Sequence, residues 1–159
     1  MNKFIDLLKS KCEWVKVPPP VVVITLFPTQ IGLLILRILP GYFLIVNHGW
    51  KKITHPEKWG GLGEAVTKYL GGIDFLNPIF GFLAAFSESV CAILVLVGLF
   101  TKPAALLICG TMFFAALYHI TGTGNPELAL IYFSIFAAIF AAGPGKYSLD
   151  SKFFSNNKD

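Results

Sequence analysis

The sequence predicts an all-α membrane protein, folded as an antiparallel four-helix transmembrane bundle with short interfacial helices. The first observation is composition: 55% of the 159 residues are hydrophobic and 14% are charged, whereas about a quarter of a soluble domain is charged. The second is a set of four apolar segments that approach the roughly 20 residues needed to cross a bilayer. The third is the proline and glycine residues that separate these segments.

The four predicted spans make up a transmembrane domain of residues 28–147. Pro28 opens the first span, because a proline fits a first helical turn whose N–H has no partner. Asn77-Pro78 precedes the second, and Gly143-Pro144-Gly145 ends the fourth. A globular all-α protein is the alternative, but too few polar residues remain to cover it. The predicted spans are residues 28–50, 79–100, 103–119 and 127–142.

Three further segments flank or connect the spans. Residues 1–27 are predicted to form a cytoplasmic segment, in which 3–17 make an amphipathic helix that lies on the inner leaflet. Residues 51–78 form the largest loop, on the outer side, and loops of this length are often functional. Residues 148–159 form a cytoplasmic tail, in which Ser148 is expected to N-cap a helix that lays two phenylalanines on the membrane surface.

The lysines are divided unevenly between the two sides of the membrane that four spans create. The side of the termini holds eight, namely Lys3, Lys9, Lys11, Lys16, Lys102, Lys146, Lys152 and Lys158. The other side holds four, namely Lys51, Lys52, Lys58 and Lys68. Since cytoplasmic loops carry an excess of positive charge, both termini are predicted to be cytoplasmic, with the chain in a bacterial inner membrane.

Charge and cysteine content exclude other classes of protein. A net charge of +4 is modest and indicates no nucleic-acid partner. Cys12, Cys91 and Cys109 show neither a C-x-x-C motif nor a metal-ligand spacing, so no disulfide framework is expected. Cys91 and Cys109 lie within apolar segments and are expected to pack as small hydrophobic residues.

Two charged residues lie well inside the predicted spans. Arg37 is nine residues, about 13 Å, from the inner end of the first span, and Glu88 is equally far from the outer end of the second. In a hydrocarbon core about 30 Å thick these depths agree, so an Arg37–Glu88 ion pair is predicted. Small residues share the face of Glu88 and would let a neighbouring helix approach closely. They are Gly81, Ala84, Ala85, Cys91 and Ala92.

A second polar group is predicted at the outer ends of the spans. His48, His119 and Glu127 come from three different spans, and a histidine beside a carboxylate can exchange protons near neutral pH. The structural alternative is that these residues only cap helix ends at the interface, where Trp50 would belong to an aromatic belt. On the fourth span an inward-facing stripe is predicted. It consists of Glu127, Ile131, Ser134, Ala138 and Ala141.

Two metal-based alternatives use the same side chains. Two histidines on different spans could ligate a haem iron, and His48, His119 and Glu127 could bind zinc. Neither arrangement is favoured, because one ligand per helix is not a diagnostic spacing and no second histidine pair exists. No metal is therefore predicted.

Together these residues resemble the DoxX family of four-span membrane proteins, over roughly residues 28–150. The matching pieces are Arg37, HGWKK (48–52), Gly60-Gly61, FSESV (86–90), GLFTKPAAL (98–106), His119, NPELALIY (125–132) and GPGKYSLD (143–150). The resemblance implies an antiparallel four-helix bundle. DoxX-like proteins include a small subunit associated with thiosulfate:quinone oxidoreduction, members linked to quinone or catechol stress, and others that look like assembly partners.

The function predicted from these features is binding of a quinone, a quinol or another amphipathic molecule in a polar pocket near the outer face. The protein would be the membrane subunit of an oxidoreductase system, since the chain itself carries no redox cofactor motif. His48 and His119 would bond to or protonate the headgroup, and Glu127 would orient a histidine. The other residues predicted to bind the ligand are Arg37, Trp50, Lys52 and Glu88.

The alternative function is non-enzymatic: a structural or assembly subunit of a larger membrane complex or homo-oligomer. Here the polar residues would hold the bundle, and lipid-facing aromatic residues would contact protein partners. Those aromatic residues are Phe113, Phe114, Tyr132, Phe133 and Phe136. A small-solute transporter is disfavoured, because the sequence shows no inverted repeat from which to build a path.

Overall fold

The structure, a computed structural model, describes residues 19–122 and 124–154, with side chains from residue 28 onward. Within these residues the regular secondary structure is helical and there is no strand, which confirms the predicted all-α fold. The amphipathic helix predicted for residues 3–17 lies outside the described residues.

The helices follow the predicted order of spans. They are α1 (Pro19–Leu44), a π-helical turn (Ile45–Gly49), α2 (Trp50–Ile53), α3 (Trp59–Thr67), α4 (Asn77–Phe86), a second π-helical turn (Ser87–Cys91), α5 (Ala92–Val97), α6 (Thr101–Thr121), α7 (Glu127–Ala142) and α8 (Leu149–Phe154).

Among the described residues, three helical segments are long and apolar enough to cross a membrane. Span 1 is Pro28–Ile53, span 2 is Asp74–Val97 and span 3 is Thr101–Thr121. Helix α7, Glu127–Ala142, is apolar but shorter, and we refer to it as span 4. A span of this length needs local thinning of the bilayer or little tilt.

Glycines set the register between spans 1 and 2. A Cβ on Gly49 would collide with the backbone of Glu88, and a Cβ on Gly41 would lie 3.4 Å from the carbonyl oxygen of Ala92. The two helices therefore pack backbone to backbone, with Gly49 at the level of Glu88. The predicted stripe of small residues on span 2 is confirmed, since Gly81, Ala85 and Ala92 are all buried.

This register makes the predicted Arg37–Glu88 ion pair wrong. Three turns of helix separate Arg37 from Gly49, so Arg37 lies near the far end of span 2, where its guanidinium is close to Gly98. The prediction took Pro28 as the inner end of the bundle. The helix in fact begins before it, at Pro19, and the bundle packs against its later part.

Span 4 turns a different face inward from the one predicted. Ile131 in the predicted stripe is 47% exposed, and Ser134 is exposed as well. The buried side chains of this helix are Ala129, Tyr132, Phe136 and Ile139. Their spacing follows one helical face, and the bulky rings of this face fill the space beside the small residues of the neighbouring spans. The assembly hypothesis expected Tyr132 and Phe136 to face lipid, and this expectation is wrong.

Helix α3 packs along the first half of span 2. A Cβ on Gly63 would collide with the backbone of Asn77, and one on Gly81 would collide with the backbone of Trp59. The Trp59 indole N–H also donates to the carbonyl of Lys52 at 2.9 Å. Helix α3 thus lies antiparallel to the first half of span 2 and runs in the same direction as span 1. It covers the end of the bundle at which span 2 begins.

The C-terminal segment closes the opposite end. The Ser148 hydroxyl accepts a bond from the Ser151 backbone N–H at 3.1 Å, which confirms the predicted N-cap of α8. The Asp150 carboxylate accepts bonds from the N–H groups of Phe100 (2.8 Å) and Thr101 (2.9 Å), and so caps α6. Arg37 donates to the carbonyl of Tyr147 at 2.5 Å, which joins span 1 to this segment.

Candidate functional site

A buried ion pair lies at mid-depth in the bundle. The Lys52 ammonium nitrogen is 2.6 Å from one carboxylate oxygen of Glu88 and 2.7 Å from the other. The Glu88 side chain is 2% exposed and that of Lys52 is 26% exposed. Glu88 lies eleven residues into the helix that starts at Asn77, about 16 Å along the span. A long lysine side chain can reach such a depth while its backbone stays nearer the surface.

One cavity, which we call the polar chamber, lies between the ion pair and the loop that joins spans 3 and 4. Its volume is about 170 Å³. Its walls include the two charged residues, two histidines, an asparagine and a tyrosine, namely Lys52, Glu88, His48, His119, Asn125 and Tyr132. The His48 and Tyr132 rings meet edge to face, with centroids 6.2 Å apart. Hydrogen-bond donors and acceptors thus converge on one small space.

A second and larger cavity, the apolar cavity, lies under α3 between spans 2 and 3. Its volume is about 410 Å³. It shares Lys52, Glu88, Ala115 and His119 with the polar chamber, while most of its other lining side chains are hydrocarbon. The ion pair and His119 therefore stand on a wall common to the two cavities.

Two π-helical turns place the buried polar groups. They span Ile45–Gly49 and Ser87–Cys91, and they touch where Gly49 packs against Glu88. A π-helical turn inserts an extra residue into a helix and is frequent at functional sites. The hydroxyl of Ser89 donates to the carbonyl of Ala85 at 2.6 Å, a further bond to the backbone where the helix geometry changes.

The structure brings together four of the predicted site residues and separates the other three. His48, Lys52, Glu88 and His119 line the polar chamber. Arg37 lies at the opposite end of the bundle, where it is buried. Its Nε and Nη1 have no hydrogen-bond partner among the described residues.

Trp50 and Glu127 also lie away from the two cavities. Trp50 is 64% exposed, as a residue facing lipid or the interface would be. Glu127 is exposed at the start of span 4, where its carboxylate accepts a bond from the Asn125 side chain at 3.3 Å. Glu88, and not Glu127, is the carboxylate that lines the polar chamber together with His48.

Sequence reasoning missed two residues of the polar chamber, Asn125 and Tyr132. Tyr132 is buried on the inward face of span 4, but this helix is apolar on nearly every face, so the spacing from Ala129 to Phe136 does not stand out in the sequence. Asn125 lies in a loop, where no periodic pattern marks a residue as inward-facing. Within residues 19–122 and 124–154, no group of three metal-ligating side chains is close enough to bind an ion.

An apolar bundle with a buried ion pair between two cavities defines a polytopic membrane protein with a polar site inside the bundle. The family model of DoxX matches residues 32–121 of the chain, more than half of it. A protein of Haemophilus influenzae described as an "Uncharacterized protein" is 32% identical over 128 residues, which cover 75% of this chain and 88% of that protein. No solved structure matches the chain. The protein belongs to the DoxX family, as the resemblance in its sequence predicted.

Proposed function

We propose that the protein is the membrane subunit of an oxidoreductase system and binds the headgroup of a quinone-like molecule in the polar chamber. The observation that carries this proposal is the buried Lys52–Glu88 pair, which lines the chamber together with two histidines. Charged groups at membrane depth are rare and usually mark a pathway or a binding site. A flat headgroup with polar oxygens at both ends needs such donors on opposite walls.

The side chains of the chamber match the chemistry of such a headgroup. A quinone accepts hydrogen bonds at two carbonyl oxygens, which the Lys52 ammonium and a histidine N–H can donate. Its reduction to a quinol takes up two electrons and two protons, and histidine is suited to exchange protons near neutral pH. His48 and His119 are the proposed proton carriers, and the electrons would come from a redox centre of a partner protein.

Glu88 takes the role that the sequence assigned to Glu127. It lines the chamber together with His48, whereas Glu127 is exposed outside the chamber. In this proposal Glu88 is the carboxylate that orients a histidine of the chamber, and its contact with Lys52 holds the ammonium at the chamber wall.

The proposed setting is a bacterial inner membrane with both termini in the cytoplasm. Eight lysines on the side of the termini against four on the other support this orientation. It places the polar chamber towards the outer half of the membrane, between mid-depth and the loop that contains Asn125.

The assembly-subunit alternative has less support from the packing. It relied on five aromatic residues facing a protein partner, but Tyr132 and Phe136 are buried in the bundle and Phe113 is the one that is exposed. The ligand-binding proposal uses residues that the structure does bring together.

Direct binding of a quinone to the purified protein tests the proposal. Replacing His48 and His119 together by alanine removes two hydrogen-bond donors, so affinity should fall at least about tenfold. Glu127→Gln is the matched control and should bind normally, because Glu127 lies outside the chamber. Intrinsic tryptophan fluorescence, which quinones quench, gives the titration. Full affinity in the double-histidine variant would sink the proposal.

A further inference from the structure

We infer that the apolar cavity holds the hydrocarbon chain of the ligand whose headgroup occupies the polar chamber. The ligand class is then a quinone-like molecule with an isoprenoid side chain that passes the Lys52–Glu88 pair and runs under α3. This inference rests on the proposed function and adds where the chain lies and what the second cavity is for.

The apolar cavity has the size and lining of a hydrocarbon site. Its volume of about 410 Å³ is within the range of roughly 300–1,000 Å³ that is typical of small-molecule pockets. Helix α3, span 2 and span 3 each contribute apolar walls, among them Leu62, Val66, Phe80, Leu83, Leu107 and Phe114.

The polar groups of this cavity lie where a headgroup would join the chain. Lys52, Glu88 and His119 are the polar residues that it shares with the polar chamber. Thr111 also lines it, but its hydroxyl is already bonded to Ser87 at 2.6 Å. Tyr118 is at the rim, with the Lys68 ammonium 5.6 Å from its ring centroid. A ligand that fits both cavities is therefore polar at the shared wall and apolar beyond it.

The polar chamber by itself is too small for a chain-bearing ligand. Its volume of about 170 Å³ falls below the usual range for whole ligands. The apolar cavity adjoins it and is open at Leu106 and Leu107, whose side chains are exposed although they line the cavity. A chain could thus enter from the bilayer without crossing water.

Two glycines of the apolar cavity border open space. Gly61 on α3 and Gly110 on span 3 line it, and a Cβ on either would meet no atom within 4 Å. Gly49, Gly63 and Gly81 are explained by close backbone packing, but Gly110 is not, because it touches nothing. A glycine in mid-helix that faces an open cavity is consistent with space kept for a ligand.

The expected role of this cavity is selection by shape. Lipid tails are as apolar as the cavity walls, so moving a chain from the bilayer into the cavity gains little from hydrophobic burial. Filling the cavity should therefore exclude chain-bearing ligands, while a headgroup without a chain should still bind.

Gly110→Leu tests this inference, with Gly110→Ala as the matched control. The probes are an isoprenoid quinone and the same quinone ring without a chain, titrated against the protein in lipid nanodiscs. Gly110→Leu should weaken binding of the isoprenoid quinone about tenfold or more and leave the bare ring unaffected. Gly110→Ala should bind both like the wild type. Equal effects of Gly110→Leu on the two probes would overturn the inference.

Photolabelling of the wild-type protein gives a second readout that needs no variant. An isoprenoid quinone with a diazirine on its chain should label residues of α3 and span 3, such as Leu62, Val66 and Phe114. Labels on span 4, or on span 1 away from Lys52, would overturn the inference. So would equal labelling of the cavity by a diazirine phospholipid that excess quinone does not displace. If the wild type binds neither quinone probe, the proposed function itself fails. If it binds the bare ring while the chain labels other surfaces, only the present inference fails.

Discussion

Lys52 and Glu88 show how the bundle tolerates charge at membrane depth. Each charge alone would be costly in a low-dielectric interior, and the two-point contact of the ammonium with both carboxylate oxygens makes the pair nearly neutral. The sequence shows that Glu88 needs a partner, because it lies within an apolar segment. It does not show which partner, since that depends on helix register and on how far a lysine side chain reaches back into the bundle.

The ion pair can be tested with a double-mutant cycle. Lys52→Met leaves a buried carboxylate without a partner, so the free energy of unfolding should fall. The loss should lie near the lower end of the roughly 3–5 kcal/mol typical of broken buried pairs, because part of Lys52 is exposed. Glu88→Gln should also destabilise. The combined variant should be more stable than the sum of the two losses predicts, measured by thermal unfolding in one detergent. Strictly additive losses would show that the two side chains are not coupled.

At the scale of the helices, close contacts between backbones set the architecture. The stripe of small residues on span 2 could be predicted, because glycine and alanine at helical spacing indicate where a neighbour approaches. The inward face of span 4 could not. In a lipid-facing helix both faces are apolar, so hydrophobic periodicity loses the contrast that it has in a soluble protein. Tyr132 was accordingly placed on the wrong side.

Gly49→Ala tests the contact between spans 1 and 2. The new Cβ would collide with the Glu88 backbone, and forced overpacking costs about 1–3 kcal/mol. Gly32→Ala in the same span is the matched control, because a Cβ added at Gly32 would meet no atom within 4 Å. The control should be neutral or stabilising, as alanine is the better helix former. The melting temperatures of the two variants test this contact. Equal values would contradict the packing of Gly49 against the Glu88 backbone.

The C-terminal helix is expected to stabilise the start of span 3 through Asp150. Its carboxylate accepts the N–H groups of Phe100 and Thr101, and loss of a helix N-cap costs about 0.5–2 kcal/mol. Asp150→Ala should therefore lower the melting temperature and speed proteolysis near the C-terminus. Lys152→Ala, an exposed residue of the same helix, should do neither. Similar proteolysis of both variants would argue against the cap.

For the whole molecule, composition and the lengths of the apolar segments were enough to predict a helical membrane bundle. The register between the spans and the depth of each residue were not predictable. The end of an apolar segment in the sequence does not show where the helix begins to pack against the other spans. Arg37 illustrates this: it lies about two-fifths of the way along the predicted first span, yet it packs against the C-terminal segment. Glu127 is the first residue of a helix that lines the polar chamber, yet its own side chain lies outside the chamber.

The proposed orientation has a direct test at this scale. A fluorescent protein fused after Asp159 should fold and fluoresce, because a cytoplasmic C-terminus is expected from the distribution of lysines. A periplasmic phosphatase inserted between Gly71 and Gly72 should be active, since that loop is expected outside. If the phosphatase were active when fused after Asp159 instead, the orientation of the protein would be the reverse of the one proposed.

The central claim is that the polar chamber binds a quinone-like headgroup. The most direct measurement is mass spectrometry of the small molecules that remain bound after mild purification, together with an absorption spectrum of the same sample. We expect an isoprenoid quinone to accompany the wild type and the Arg37→Met variant but to be lost from the variant with alanine at His48 and His119. A haem absorption band, or a quinone retained undiminished by the double-histidine variant, would contradict it.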